Sequence, residues 1–583
     1  MPATRPTWFA EVGPPPRPDS GGTPRPLDNS RTAAPGRGAR WTEGCGARSM
    51  LPPLARRRPG SVGGVILRVV AALGCGVLLA TAFEPVAAAW TIPFAVAGYV
   101  LCCRGCRLRW AWLPGLAFGV GFQFVLLWWM RAVGTDAWIA LAGIEAVFLG
   151  LLGVGTAALT RHRWWPLWVA SAWVVVEVWR SGWPFSGMPW GRLAFAVADT
   201  PLMPALPWIG MVGVSLVLAL SGTLLAWLVV ATGRARLVAG GVLVALAAAC
   251  SLPLVRPWHG TPESHVTVAA VQGDVPGPGN NILFDYRQVT QNQVDVTVRL
   301  ARDVAAGATP RPSFVVWPEN STAVDPFDDQ LTNAAIRTAS AAIGVPILVG
   351  AIVDGGPTHV LNQGIVWDPV TGAGDRYTKR HPVPFGEYIP WRGVFTRQFG
   401  RLAIIPRDMV SGTRQTPLRI DGARVADAIC FDVAYDDVLD AQVRRGAQLL
   451  AVQTSNATFV DTDQLEQQFA ITRLRAAETG RWLVVASTNG ISGVVAPDGS
   501  VVASTPRRTQ DVLVERVGLD GSITPGVALG SWTGRLCMLL TAVGLVLAWR
   551  SRRLPYARSR GSSQPAPTSG DTEGSGAEAV TTA

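Results

Sequence analysis

A chain of 583 residues that is 49% hydrophobic and only 16% charged is too long for one ordinary domain and too apolar for a purely soluble one. Its net charge of +11 does not point to nucleic acid, because much of the arginine sits in two polar tails and in short loops beside hydrophobic runs, a placement that suits anionic lipid headgroups. The eight cysteines lie mostly in or beside apolar runs, and Cys430 alone belongs to the large polar segment, which argues against a disulfide framework.

Residues 1–60 are rich in Pro, Gly, Arg and Ser without an apolar period, and residues 555–583 are dominated by Ser, Gly, Thr and Ala. Neither stretch buries enough surface to offset its ordering entropy, so both are expected to be disordered tails that carry no chemistry. Residues 61–257 offer about seven hydrophobic stretches near the ~20 residues that cross a bilayer, centred on Ala71, Ala95, Gly119, Phe148, Val174, Leu218 and Leu246. An eighth occupies 531–550. The first run resembles a signal peptide up to Ala82, but a second apolar run follows at once across Phe83-Glu84-Pro85, which favours an uncleaved helix.

One set of connecting loops is basic, with Arg56 to Arg58, Arg104, Arg107 and Arg109, Arg161 and Arg163, Arg234 and Arg236, then Arg550, Arg552 and Arg553. The alternate loops hold only Arg131, Arg180 and Arg192. Positive residues are retained in the cytoplasm, so both termini are expected inside a bacterial plasma membrane, with the polar segment before the last helix outside it. Glu145 and Glu177 lie within or near the end of apolar runs, where a carboxylate is expected to serve a site or to pair with an arginine such as Arg131 or Arg180.

Residues 262–520 change pattern to short β-rich runs alternating with polar helical segments: Val266–Val271, Phe314–Trp317, Ile347–Ala351, Val425–Ile429, Leu449–Val452 and Leu483–Ala486. That alternation predicts an α/β layered sheet. Gln464–Thr479 reads as the clearest helix, with Leu465, Phe469, Leu474 and Ala477 roughly on one face. No metal site is visible, since the five histidines are scattered and Cys102-Cys-Arg-Gly-Cys106 lacks a fourth ligand nearby. No phosphate-binding glycine loop is present, and no cofactor is expected.

Three reactive side chains stand at or near the ends of apolar runs. Cys430 closes Arg424-Val-Ala-Asp-Ala-Ile-Cys430, Glu319 follows Phe314-Val-Val-Trp-Pro318, and Lys379 opens a proline-rich stretch that cannot be a helix interior. A partly desolvated Glu319 suits a general base, and a lysine beside a thiolate both lowers the cysteine pKa and stabilises an oxyanion. Read singly, each has a plainer meaning: a buried small hydrophobe, a loop carboxylate and a solvated lysine.

Together, Trp317-Pro-Glu-Asn320, Lys379 with Pro384-Phe-Gly-Glu-Tyr-Ile-Pro390, and Cys430-Phe-Asp432 resemble, in order and spacing, the Glu/Lys/Cys motifs of the nitrilase superfamily. With such a domain inserted before the last of eight helices, the chain from Val62 to Arg550 resembles the apolipoprotein N-acyltransferase family. The resemblance implies a multi-helix transmembrane domain of about eight helices plus a nitrilase-like four-layer αββα sandwich. It further implies a fatty acyl chain passed from a phospholipid through a Cys430 thioester to the N-terminal amine of a diacylated apolipoprotein. Glu319 would be the base, Lys379 the oxyanion stabiliser helped by the backbone of Phe431, and Glu387, Asp432 and Asn456 the support. Asp432 stands where the family often has Glu, and Phe284 where it often has Trp. Phe284 is also expected to contact lipid, and Trp391, Phe395 and Phe399 are apolar loop residues expected to dip into it and keep water from the thioester. Two other readings use the same residues differently: a membrane-tethered amidase that gives the acyl group to water, and an inactive scaffold that binds a membrane glycosyltransferase.

Overall fold

The computed structural model describes residues 62–393 and 405–553. The tails expected at 1–60 and 555–583, and the segment bearing Phe395 and Phe399, lie outside the described residues.

Long apolar runs satisfy their own backbone hydrogen bonds only as helices, and the described residues of the first half form seven: α1 (Val62–Ala80), α2 (Ile92–Cys103), α3 (Leu108–Leu126), α4 (Thr135–Leu159), α5 (Trp165–Gly182), α6 (Leu206–Val230) and α7 (Arg234–Val255). Small residues let α1 and α3 touch backbone to backbone: a Cβ at Gly76 would collide with the Phe118 carbonyl, and one at Gly121 with that of Leu73.

The second half opens with β1 (Ser264–Gln272), α8 (Tyr286–Ala305), β2 (Phe314–Val316), α9 (Gln330–Ile343), β3 (Ile347–Asp354), β4 (His359–Asp368), β5 (Gly372–Thr378) and β6 (Asp408–Met409). It continues with β7 (Leu418–Ile420), β8 (Ala423–Ile429), α10 (Asp436–Val443), β9 (Leu449–Thr454), α11 (Gln464–Thr479), β10 (Leu483–Ser487), β11 (Gly493–Val495), β12 (Val501–Ser504) and β13 (Asp511–Leu519). A short α12 (Pro525–Leu529) leads into α13 (Trp532–Arg553). One sheet has the order β13-β1-β2-β3-β4-β5 with β6 beside β4, and the other runs β12-β11-β10-β9-β8-β7. The pairs β1/β2, β2/β3, β8/β9 and β9/β10 are parallel, as the buried, unalternating runs of those strands lead one to expect. Helices α8 and α9 cover the first sheet with Val294, Leu300, Ile336 and Ile343, while α10 and α11 cover the second with Val438, Leu439, Ile471 and Leu474. The result is the four-layer αββα sandwich.

Helices occupy all eight expected positions, but five of the described ones are both long and apolar enough to cross a bilayer by themselves: α1, α4, α6, α7 and α13. At 12 residues α2 is short, α3 carries Arg109, Gln123 and two tryptophans, and α5 carries Glu177 and Arg180. Much of α2 and α5 is buried against neighbouring helices, and α3 and α5 carry polar side chains, so their composition answers to protein as well as to lipid.

Both intramembrane carboxylates anchor the loop that follows α5. Arg180, almost wholly buried, donates from Nη1 to Glu145 (2.8 Å) and to the carbonyls of Met188 (3.1 Å) and Trp190 (2.7 Å). Glu177 accepts from the Leu193 amide (2.9 Å) and from the Trp173 indole (3.0 Å). The pairing with Arg180, rather than Arg131, is the one adopted; Arg131 lies over the Trp128 ring instead.

That loop, together with a break in α6, docks the sandwich. The Trp129 and Trp190 indoles both donate to Gln467 of α11 (3.0 and 2.7 Å), and Gln467 in turn donates to the Glu84 carbonyl (2.9 Å). At Gly210, where φ is +67°, α6 is interrupted, and the freed Met211 amide donates to Glu478 of α11 (2.8 Å). Helix α11 is therefore the face by which the catalytic half rests on the helical half.

Candidate active site

Glu319, Lys379 and Cys430 each lie just beyond the carboxyl end of a strand: β2 and β5 in the first sheet, β8 in the second. Buried strands place such residues where two facing sheets open at one end. A Cβ at Gly350 of β3 would collide with the Pro318 carbonyl, so glycine there lets the Glu319 turn lie directly against its neighbouring strand.

Lys379 Nζ bridges Glu319 Oε1 (3.1 Å) and Glu387 Oε1 (2.7 Å), and all three are buried or nearly so. Glu319 also accepts from Asn362 Nδ2 (2.8 Å) on Oε1 and from the Ser455 amide (2.9 Å) on Oε2. Glu387 Oε2 accepts from the Val383 amide (2.8 Å), which closes the proline-rich turn over the lysine. Cys430 sits in the left-handed region at φ +54°, partly exposed, with the Thr454 hydroxyl as its hydrogen-bonding neighbour. That conformation turns the chain sharply off β8 and brings the thiol into the field of Glu319, Lys379 and Glu387.

The electrostatics follow. Burial alone would push the Lys379 ammonium down, but Glu319, Glu387 and Cys430 more than offset it and hold the group well above the usual lysine range. Burial, and next the Glu319 charge, push the Cys430 thiol up to about 12, with Lys379 opposing. Burial raises Glu387 too, against the pull of Lys379. The lysine alone therefore does not produce a standing thiolate, contrary to the simplest expectation; the sulfur becomes nucleophilic only as its proton leaves. Alkylation of Cys430 by iodoacetamide is expected to be slow at pH 8 and to rise about tenfold per pH unit up to pH 11. A rate that levels off below pH 9, followed by peptide mass spectrometry, would contradict this.

The supporting residues divide. Glu387 touches Lys379 as expected. Asp432 does not face the cluster: its carboxylate accepts from the Tyr377 hydroxyl (2.8 Å) and the amides of Arg380 (3.1 Å) and His381 (2.8 Å), so it fixes the Lys379 turn from behind. Phe431 stacks on Trp190 of the membrane half, with ring centroids 6.0 Å apart. The Asn456 side chain bonds Gln464, Gln468, Thr454 and Ser487, and so reaches the thiol through Thr454. Phe284 is two-thirds exposed and lies over Gly277. Trp391 is also exposed, and its ring meets Phe185 at 4.7 Å. Asn362 escaped the sequence reading, although a polar Asn362-Gln363 pair inside an otherwise apolar strand is the kind of signal that marks an inward-facing polar group.

Residues 75–224 match the family model for the apolipoprotein N-acyltransferase N-terminal domain, and residues 267–522 match that for carbon-nitrogen hydrolases. An apolipoprotein N-acyltransferase of Mycolicibacterium smegmatis is 36% identical over 92% of this chain and 92% of its own. The chain belongs to the apolipoprotein N-acyltransferase family. Another member of that family, from Methylococcus capsulatus, is 30% identical over 84% of this chain and 97% of its own. Among solved structures, an amidase from Nesterenkonia sp. aligns with 46% of this chain and 94% of its own at 18% identity, with a TM-score of 0.31. Family membership makes this a membrane-associated acyltransferase with a carbon-nitrogen hydrolase domain, and accounts for the joining of the two halves.

Proposed function

We propose that the chain transfers a fatty acyl group from a phospholipid to the N-terminal amine of a diacylglyceryl-cysteine on apolipoproteins, through a thioester on Cys430. The observation that carries this is the charged cluster of Glu319, Lys379 and Glu387 around a thiol, at the end of a sandwich seated on an apolar helical bundle. Two lipid substrates require such a platform, whereas a soluble amide does not.

Glu319 takes the thiol proton as sulfur attacks the ester carbonyl, and the oxyanion that forms is stabilised by the Lys379 ammonium. Collapse of the tetrahedral intermediate breaks the ester C–O bond. The lysophospholipid alkoxide leaves with the proton held by Glu319, and the acyl group stays on sulfur. In the second half-reaction the acceptor amine attacks the thioester and Glu319 takes the amine proton; collapse of that intermediate breaks the C–S bond, and the departing sulfur takes the proton from Glu319, which restores the thiol. The raised thiol pKa favours this order, since proton removal and attack must coincide. Glu387, on the far side of Lys379, keeps the ammonium in place and charged.

The arginine distribution supports both termini inside the cell and the site outside it, next to lipid. The test uses purified full-length protein in detergent with phospholipid and a diacylated lipopeptide. Triacylated product is expected, together with an acyl adduct that peptide mapping assigns to Cys430 when the acceptor is withheld. Free fatty acid without triacylated product would replace this reading with a hydrolase, and no adduct would replace it with a scaffold.

A further inference from the structure

Where the Ser186 loop of the membrane half meets the sandwich, a cavity of about 510 Å³ opens, lined by Ser186, Arg380, His381, Tyr388, Ser411 and Thr413 among others. That is the size of a small-ligand site, and the catalytic steps above make no use of it. Its basic groups are only partly neutralised. Arg380 gives Nε to Asp437 Oδ2 (2.7 Å), and its two terminal amino groups have no partner among the described residues. His381, stacked on Tyr435 with ring centroids 3.8 Å apart, meets Asp437 Oδ1 (2.8 Å). One carboxylate thus faces two basic side chains, and no carboxylate is among the lining residues. Asp437 also fixes the guanidinium by its inner edge, leaving the outer edge as a fork, the geometry that takes a phosphate by two parallel bonds.

Beside this polar chamber stands an aromatic rim. Phe185, next to Ser186, packs edge-on against Phe385 (5.6 Å) and Trp391 (4.7 Å), and the Tyr388 hydroxyl donates to the Phe185 carbonyl (2.8 Å). Phe385 and Trp391 remain exposed at 38% and 66%. Phe185, Ser186, Phe385 and Trp391 all hold positive φ without being glycine, the strain expected where a surface is shaped for a ligand. A polar, basic chamber bordered by exposed aromatics suits an amphiphile with an anionic head. It does not suit the acceptor's ammonium, which Arg380 would repel.

We propose that this cavity holds the phosphodiester of the glycerophospholipid acyl donor, with Arg380 as its principal ligand and the aromatic rim leading its chains toward Cys430. This rests on the reading of Cys430 as the residue that takes an acyl group from a phospholipid. The test measures kcat/KM in detergent for two donors with identical chains, a phosphatidylglycerol and a diacylglycerol, with a diacylated lipopeptide as acceptor. Wild type is expected to favour the phospholipid at least tenfold. Arg380→Gln is expected to lower that ratio about tenfold, and Arg380→Lys, which keeps the charge but loses the fork, to lower it by less. In the unaltered protein, glycerophosphoglycerol is expected to compete with the phospholipid and not with the diacylglycerol. An unchanged ratio in Arg380→Gln, no preference in wild type, or equal inhibition with both donors would overturn the proposal while leaving the acyl transfer itself intact. If neither donor acylates Cys430 in wild type, the reading beneath it fails as well.

Discussion

Glu319→Gln is expected to slow acyl transfer by about 10²–10⁴-fold while leaving the protein folded. The amide keeps an oxygen for Lys379 and Asn362, so the hydrogen bonds on Oε1 survive. On the other side the new NH₂ faces the Ser455 amide, donor against donor, where Oε2 now accepts at 2.9 Å. That conflict costs about 1–3 kcal/mol, a modest part of the rate effect. The larger part is loss of the base that takes the thiol proton, because a thiol pushed up to about 12 offers little thiolate at neutral pH. The measurement is formation of the Cys430 acyl adduct in a single turnover, with thermal unfolding as the control. A fall of less than tenfold would mean that another group is the base.

The second large effect is on stability. Arg180→Met removes the partner of Glu145, both only about 2% exposed, and breaking a buried pair from one side costs about 3–5 kcal/mol. Combining it with Glu145→Leu is expected to recover most of that loss, since two apolar side chains replace two charges. Activity should not return with stability, because the carbonyls of Met188 and Trp190 still lack their donor, and Trp190 is the ring on which Phe431, next to the nucleophile, is stacked. Unfolding temperature in detergent and adduct formation, measured on both variants, separate the two effects. Recovery of both in the double variant would reduce the pair to packing alone.

The strands that deliver Glu319 and Cys430 were readable because their runs are short, β-branched and bounded by turns, and α11 was readable from its apolar face, which ends where Gly480 takes the left-handed cap position. Lys379 was readable as a non-helical residue from the prolines beyond it. What could not be read was which polar residues turn inward together. Asn456 and Ser455 are adjacent, yet the amide of one binds Glu319 while the side chain of the other turns to α11. Asn362 bonds Glu319 across two strands of one sheet, and Gln467 collects indoles from residues 338 and 277 positions earlier. Such pairings depend on how the layers stack, which no local period encodes. The same holds for the helices: their positions follow from runs of apolar residues, but whether α5 needs lipid or protein around it is decided by Glu145, in another helix.

The left-handed turn at Cys430 sets a side chain with a Cβ where glycine would rest more easily, at a cost of about 1–3 kcal/mol. Any selection for heat tolerance alone would therefore tend to exchange the whole side chain for a hydrogen, yielding a sturdier but inert relative. Persistence of cysteine at that corner in a population passed through such a regime would be a record of demand for its chemistry, legible without assaying a single reaction.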